Sequence, residues 1–269
     1  MNGNTTYYAL VTGASSGIGL AYATILARDY HMPLLLVSNQ EPELLALAQR
    51  LTADYGVPAV PHYADLAAPD AAQQLYQWCA DNHYAVDVLI NNAGVFFWQP
   101  LIEVAPAKVQ TMLQLHMVTL AMLCRLFGAD MCARRRGYIL NMSSVTAWMM
   151  FPGIQCYNST KAFVRSFSRS LWYEMRPFGV TVTTLTPGGI DTPLYGLSDR
   201  TRRRLVRIGL LMTPERFATV ALRALFRSRK QAMPGWWNHL LLPLIRHLPD
   251  RLIFAAMRIA PQYKNIPLH

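Results

Sequence analysis

Short, nearly unbroken apolar runs recur along the chain, separated by longer stretches that mix apolar and polar positions. "YYALV" (7–11), "PLLLVS" (33–38), "AVPHY" (59–63), "VDVLI" (86–90), "YILNM" (138–142) and "VTVTTL" (180–185) read as buried strands. "AMPG" (232–235) closes a seventh. Helical candidates fill the intervals at 17–30, 42–55, 69–83, 106–133 and 157–177. Strand and helix alternating in this way predict a parallel sheet covered on both faces. Right-handed crossovers then give a doubly wound, Rossmann-like α/β fold of about seven strands. With no internal repeat, low-complexity tract or Gly/Ser-rich linker, residues 1–269 read as one domain.

Composition agrees with a single domain holding a sizeable core. The chain has 269 residues, 52% hydrophobic and only 15% charged, which argues against disorder. No apolar run reads as long enough to span a bilayer, the longest candidate being "LLLPLI" at 240–245. The N-terminus lacks the pattern of a secretory signal. Cysteines 79, 124, 132 and 156 form no CxxC pair, so neither a metal site nor a disulfide framework is expected, and a reducing cytoplasm is the simplest location. Cys156 reads as a small buried filler rather than a nucleophile.

The net charge of +10 is unevenly spread. Residues 1–199 hold 11 basic and 13 acidic side chains, whereas residues 200–269 hold 14 and 2. Basicity confined to the last quarter argues against a nucleic-acid-binding domain.

Chemistry enters at "TGASSGIG" (12–19), directly after the first strand. Gly13 permits a tight turn, Gly17 lets backbone approach a pyrophosphate, and Gly19 lets the helix pack close to the strand. The N–H groups at the start of that helix suit a phosphate. Further along stand "NNAG" (91–94), Ser144, a Tyr and a Lys four positions apart at Tyr157 and Lys161, and "PGGIDT" (187–192). Together, over about residues 7–195, these motifs resemble the short-chain dehydrogenase/reductase family.

The resemblance implies a catalytic set of Ser144, Tyr157 and Lys161. Tyr157 exchanges a proton with the substrate oxygen, Lys161 tunes the phenol and holds the nicotinamide ribose, and Ser144 hydrogen-bonds the substrate oxygen. A free phenol has a pKa near 10, and an ammonium one helical turn away favours its ionised form. One position departs from the family. Where similar enzymes carry an Asn that holds a water in a proton relay, this chain has His116. It is expected to replace the Asn in part, with a satisfied core histidine as the alternative.

The cofactor site implied by the resemblance comprises Gly13, Ser15, Ser16, Gly17, Ile18, Gly19, Ser38, Asn39, Asp65, Leu66, Asn92, Ala93, Gly94, Tyr157, Lys161, Pro187, Gly188, Ile190 and Thr192. After the second strand the chain reads "VSNQEPE" (37–43), without the acid that favours NAD or the Arg that favours NADP. Lack of an acid removes the main repulsion of a 2′-phosphate, so the reading leans to NADP(H) over NAD(H). Asp65 also suits a helix N-terminal cap.

Residues 193–218 are expected to form a substrate lid, on which Arg202, Arg203, Arg204 and Arg207 make a basic stripe. Residues 236–269 form a basic, apolar extension suited to packing, to a subunit contact or to the surface of a membrane. Aromatic stretches at 95–100 and 147–153 suit a lipophilic substrate, a long-chain acyl or steroid-like ketone or alcohol. The function expected is NAD(P)(H)-dependent ketone–alcohol interconversion. The alternative is a non-catalytic dinucleotide-binding sensor or interaction module. A homodimer or homotetramer is expected, as are a cytoplasmic location with possible membrane association and no nucleic-acid partner.

Overall fold

The computed structural model describes residues 6–192, 198–259 and 263. Seven parallel strands form one sheet in the order β3-β2-β1-β4-β5-β6-β7. They are β1 (Tyr7–Thr12), β2 (Leu34–Ser38), β3 (Ala59–Tyr63), β4 (Ala85–Asn91), β5 (Gly137–Met142), β6 (Val180–Leu185) and β7 (Gln231–Ala232). The order reverses between β1 and β4, and such a switch point opens a crevice beyond the carboxyl ends of those strands. β2 and β6 are buried at every position, as their unbroken apolar and threonine-rich runs require of strands covered on both faces.

The helices are α1 (Gly17–Tyr30), α2 (Glu41–Tyr55), α3 (Ala71–Asp81), α4 (Pro106–Leu113), α5 (Leu120–Arg134), α6 (Gln155–Met175), α7 (Asp199–Arg207), α8 (Pro214–Phe226), α9 (Trp236–Arg246) and α10 (Asp250–Ile259). One core layer packs α1, α2 and α8 on the sheet, with Tyr22 and Phe217 edge to face at 6.4 Å between centroids. The other layer holds α3, α5 and α6 against the opposite face through Leu75, Phe127 and Val164.

Departures from the expected boundaries have local causes. The helix expected over 69–83 is shortened to α3 because Asp70 and His83 sit in the left-handed region (φ 60° and 57°). The seventh strand spans two residues rather than 232–235, since Pro234 and the left-handed Gly235 (φ 100°) end it. The helix expected over 106–133 is interrupted by a π-helical turn, Gln114–Thr119, centred on His116. Such turns recur at functional sites.

The expectation that no apolar stretch could span a bilayer needs correction. Pro106–Arg134 runs helically for 29 residues and is long and apolar enough to do so. No unbroken apolar run marks it, because single polar residues are dispersed through it. Its Leu120, Leu123, Phe127 and Met131 are buried against the sheet, as in the core helix of a globular domain. Of the segment expected as a lid, 193–197 lie outside the described residues. Phe217 and Ala218, its last positions, are buried in the core on α8.

Candidate active site

Beyond the carboxyl ends of β1, β4 and β5 lies a cleft of about 440 Å³. β1 delivers the glycine turn to its floor. Gly13 (φ 64°) and Gly17 (φ 55°) both occupy the left-handed region that glycine alone adopts freely. A Cβ on Gly19 would lie 1.9 Å from the Gly13 carbonyl oxygen, so only glycine lets α1 start so close to the strand. Ser16, the N-cap of α1, makes no capping bond with its side chain. Its hydroxyl and the first N–H groups of the helix thus remain to serve an anion.

The wall opposite is held by β4. The Asn92 side-chain amide donates to the carbonyls of Thr12 and Gly13 at 3.0 and 3.3 Å. The Thr12 hydroxyl accepts from the backbone N–H groups of Asn92 and Ala93 at 2.9 and 3.0 Å. These bonds lock the glycine turn to the loop after β4, so Asn92 shapes the cleft chiefly by bracing its floor. Asp65 also acts locally, its carboxylate accepting from the Ala67 N–H at 3.0 Å.

At the end of β2 the Ser15 and Ser38 hydroxyls lie 2.8 Å apart, and the Ser15 hydroxyl donates to Gln40 Oε1 at 2.7 Å. The Gln40 N–H in turn donates to the Ser38 hydroxyl at 3.2 Å. This corner of the cleft is polar and uncharged. Sequence reasoning reached Ser38 and Asn39 but missed Gln40, whose approach to Ser15 depends on the turn into α2.

The catalytic candidates come from β5 and α6. Ser144, extended at φ −160°, accepts from the Thr146 N–H at 3.1 Å, which leaves its own hydroxyl proton to donate elsewhere. The Ser143 hydroxyl donates to the Lys161 carbonyl at 2.7 Å and ties that loop to α6. Lys161 is buried and donates from Nζ to the Met142 carbonyl at 2.9 Å. Burial pulls its pKa down to about 8. Nζ stands 5.4 Å from the centre of the Tyr157 ring. Tyr157 lies in an apolar cluster with Met112 and Ile154, flanked by Phe97 and Phe151, and Phe96 meets its ring edge to face at 5.1 Å.

His116 is buried behind Tyr157, their ring centres 5.8 Å apart. Its Nε2 accepts from the Val95 N–H at 3.0 Å, and its Nδ1 lies 3.0 Å from the Thr160 hydroxyl. Burial first, then the Lys161 charge, holds its pKa well below the ordinary histidine value. Burial raises the Cys156 thiol pKa, which leaves it a poor nucleophile.

The cleft thus gathers Gly13, Ser15, Ser16, Gly17, Ile18, Ser38, Asn39, Asp65, Leu66, Asn92, Ala93, Gly94, His116, Ser144, Tyr157, Lys161, Pro187, Ile190 and Thr192. Two expected residues stand outside its lining. Gly19 lies beneath the glycine turn, and a Cβ on Gly188 would strike the Asn238 side chain of α9. Sequence reasoning missed Gln40, Ala64, Val95, Leu115, Met142 and Ser143, which also line the cleft. Their side chains carry no motif signal of their own.

The family model described as short chain dehydrogenase matches residues 7–202. Very-long-chain 3-oxoacyl-CoA reductase-A of Danio rerio is 28% identical over 88% of this chain and 74% of its own length. A short-chain dehydrogenase from Sphingobium yanoikuyae, solved in complex with NADPH, superposes with a TM-score of 0.77. It is 26% identical, over 91% of this chain and 97% of that one. The bulky-bulky ketone specific alcohol dehydrogenase from Comamonas testosteroni has a TM-score of 0.74 at 25% identity, over 97% and 98% of the two chains. From the glycine turn through Ser144, Tyr157 and Lys161 to the loop after β6, fold and cleft agree with that match: the chain belongs to the short-chain dehydrogenase/reductase family and is an NAD(P)-dependent oxidoreductase.

Proposed function

We propose that the protein interconverts a lipophilic ketone and its secondary alcohol, with NADP(H) favoured over NAD(H). One observation carries the reading. Tyr157 stands beside a buried Lys161 in the lining of the cleft, with Phe96, Phe97, Phe151 and Ile154 forming an apolar wall around it. The cleft fits a dinucleotide, since the glycine turn, the uncapped start of α1 and the polar corner at Ser15, Ser38 and Gln40 face one space. Ser15, Ser16, Gly17 and Ile18 would hold the pyrophosphate, and Ser38, Asn39 and Gln40 the adenosine ribose. A bound nicotinamide supplies or accepts the hydride.

This chain's residues do the rest. The Ser144 hydroxyl donates to the substrate oxygen and steadies charge that develops there. Tyr157 gives that oxygen its proton in reduction and removes it in oxidation. Lys161, cationic below about pH 8, favours the phenolate. His116 holds the wall behind Tyr157.

The relatives support a bulky apolar substrate, because one is named for very-long-chain 3-oxoacyl-CoA and another for bulky-bulky ketones. Of the expected lid at 193–218, the described residues 198–212 would cover the substrate end. The outward apolar residues Leu113, Val118 and Met122 of the α4–α5 stretch suit a homodimer or homotetramer, and the four free cysteines suit a reducing cytoplasm. A panel of lipophilic ketones and alcohols with both nicotinamide cofactors tests the reading. Turnover should be abolished in Tyr157→Phe. Cofactor binding without turnover of any carbonyl compound would favour a non-catalytic sensor.

A further inference from the structure

α9 turns apolar side chains toward solvent in a regular stripe. Trp236, Leu240 and Leu244 succeed one another at single-turn spacing and are 63%, 56% and 70% exposed. Trp237 stacks on Trp236 at 3.9 Å between ring centres. α10 adds Leu252 and Ile259 exposed on one face and Phe254 exposed on the other. Isolated surface leucines need no account, but a run of large apolar side chains on consecutive helices marks a contact surface.

The charge carried on the same two helices and on their neighbour α6 identifies what covers the stripe. Arg165 and Arg169 of α6 and Arg246 at the end of α9 lie close enough for both neighbours to lower the Arg165 pKa, although burial is the larger cause. None of the three forms an ion pair among the described residues. Arg165 Nε is buried without a hydrogen-bond partner, and its guanidinium lies 4.7 Å from the centre of the Trp148 ring. Arg251 and Arg258 of α10 are exposed, as are Arg203, Arg204 and Arg207 of α7. Arg246, Arg251 and Arg258, exposed on the same two helices as the tryptophans and leucines and without ion pairs among the described residues, match the headgroup and acyl boundary of an anionic bilayer. A soluble acidic partner would leave the apolar stripe without an occupant.

The stripe also borders the cleft. α9 packs against the turn Val145–Trp148 that follows Ser144. Asn238 fills the space beside Gly188, and Trp237 lies against Gly209 at the end of the lid. We propose that α9 and α10, with the Arg165, Arg169 and Arg246 cluster, dock on an anionic lipid surface, so that a lipophilic substrate passes from the bilayer into the cleft. The substrate clause rests on the ketone reductase reading; the docking does not.

The test is flotation of the full chain with vesicles of pure phosphatidylcholine and with vesicles containing about one third phosphatidylglycerol. Binding is expected to the anionic vesicles, with a blue shift of tryptophan emission and loss of binding in high salt. The double variant Leu240→Glu/Leu244→Glu should bind about tenfold or more weakly, as should Arg165→Gln/Arg246→Gln. Both variants should bind NADPH as the wild type does and turn over a small water-soluble ketone at the same kcat, which also checks that they are folded. Vesicle binding without turnover of any ketone would sink the reductase reading alone. Failure of the wild type to float with anionic vesicles overturns the docking, as does undiminished binding of both variants. A smaller assembly of the Leu240/Leu244 variant in sedimentation, without vesicle binding by the wild type, would assign the stripe to a subunit contact instead.

Discussion

His116 Nδ1 lies 3.0 Å from the Thr160 hydroxyl, and that hydroxyl donates its proton to the Tyr157 carbonyl at 2.9 Å. Thr160 therefore has only a lone pair to offer the ring, so Nδ1 carries the imidazole proton. Nε2 is left as the acceptor that the Val95 N–H requires. The ring is neutral with both nitrogens engaged, and it joins the loop after β4 to the helix that bears Tyr157. A second proton would break the bond to Val95 and place a cation near Lys161. His116 is thus suited to positioning rather than to relaying protons, which narrows the partial replacement of an Asn expected from sequence.

Replacing His116 should separate these roles. His116→Leu leaves the Val95 N–H without its acceptor, at a cost of about 1–3 kcal/mol in stability. It should also lower kcat/KM by loosening the Tyr157 wall. His116→Asn restores one bond and should retain most activity. Equal activity of the two variants would remove His116 from the mechanism.

The same ring predicts a pH dependence of stability. Its native pKa lies well below the unfolded value near 6.5, so the unfolded chain takes up the proton first as pH falls. The contribution is present above 6.5 and is lost as pH falls below it. Urea denaturation of the wild type should show that loss, and His116→Asn should show a flatter profile. Parallel curves for the two proteins would assign the acid sensitivity elsewhere.

Lys161 is the opposite case, a charge whose burial costs stability. Its pKa falls from 10.5 unfolded to about 8 in the fold, so burying the ammonium costs about 3 kcal/mol below pH 8. As pH rises from 8 to 10.5 the folded side chain is neutral while the unfolded one is still charged, and the cost fades. Lys161→Met should abolish turnover yet raise Tm at pH 7, with the gain shrinking toward pH 10. The orphaned Met142 carbonyl limits the gain. A lower Tm at pH 7 would show that the ammonium is better compensated than its burial implies.

Much of this architecture was legible in the sequence. β2 and β6 are short, continuous and buried on both faces, so apolar runs located them closely. The glycine turn, Ser144, Tyr157 and Lys161 line one cleft as their motifs implied, because close backbone approach and the proposed proton transfer allow few residue types. The π-helical turn at His116 left no periodic signal, since it arises where the ring must reach both Val95 and Thr160. Gln40 escaped notice for a similar reason. Its partner Ser15 is 25 residues away and meets it only once β1 and β2 are paired. Arg202 was read as part of a solvated stripe, yet it is turned inward against Asp191.

The neutral corner formed by Ser15, Ser38 and Gln40 should make cofactor choice easy to move. Ser38→Asp would place a carboxylate where it can hold ribose hydroxyls and repel a 2′-phosphate. A change of about 1–3 kcal/mol corresponds to roughly 10- to 100-fold in the NADPH/NADH affinity ratio. Gln40→Arg should shift the ratio the other way. Titration of the bound cofactor's fluorescence measures both without any substrate. An unchanged ratio in Ser38→Asp would mean that the adenosine ribose binds away from β2.

Arg202 spans the lid and the loop after β6, its guanidinium 3.1 Å from Asp191 and 2.5 Å from Asp199. Asp191 lies beside Ile190, which pairs with Met212 at the far end of the lid, and next to Thr192, which packs on Gly17. The pair therefore fastens α7 to the loop that closes the cleft. It is partly exposed, and such pairs are weak and screened by solvent. On the proposed lid reading, so weak a latch would hold the segment closed yet let thermal motion open it for substrate entry and product release. Arg202→Ala should then raise KM by about 2- to 5-fold, with kcat unchanged, or higher where release limits turnover. Asp191→Asn should act alike, and the double variant should be little worse than either single one, because all three remove the same contact. Additive losses in the double variant would show that the two side chains act on the cleft separately.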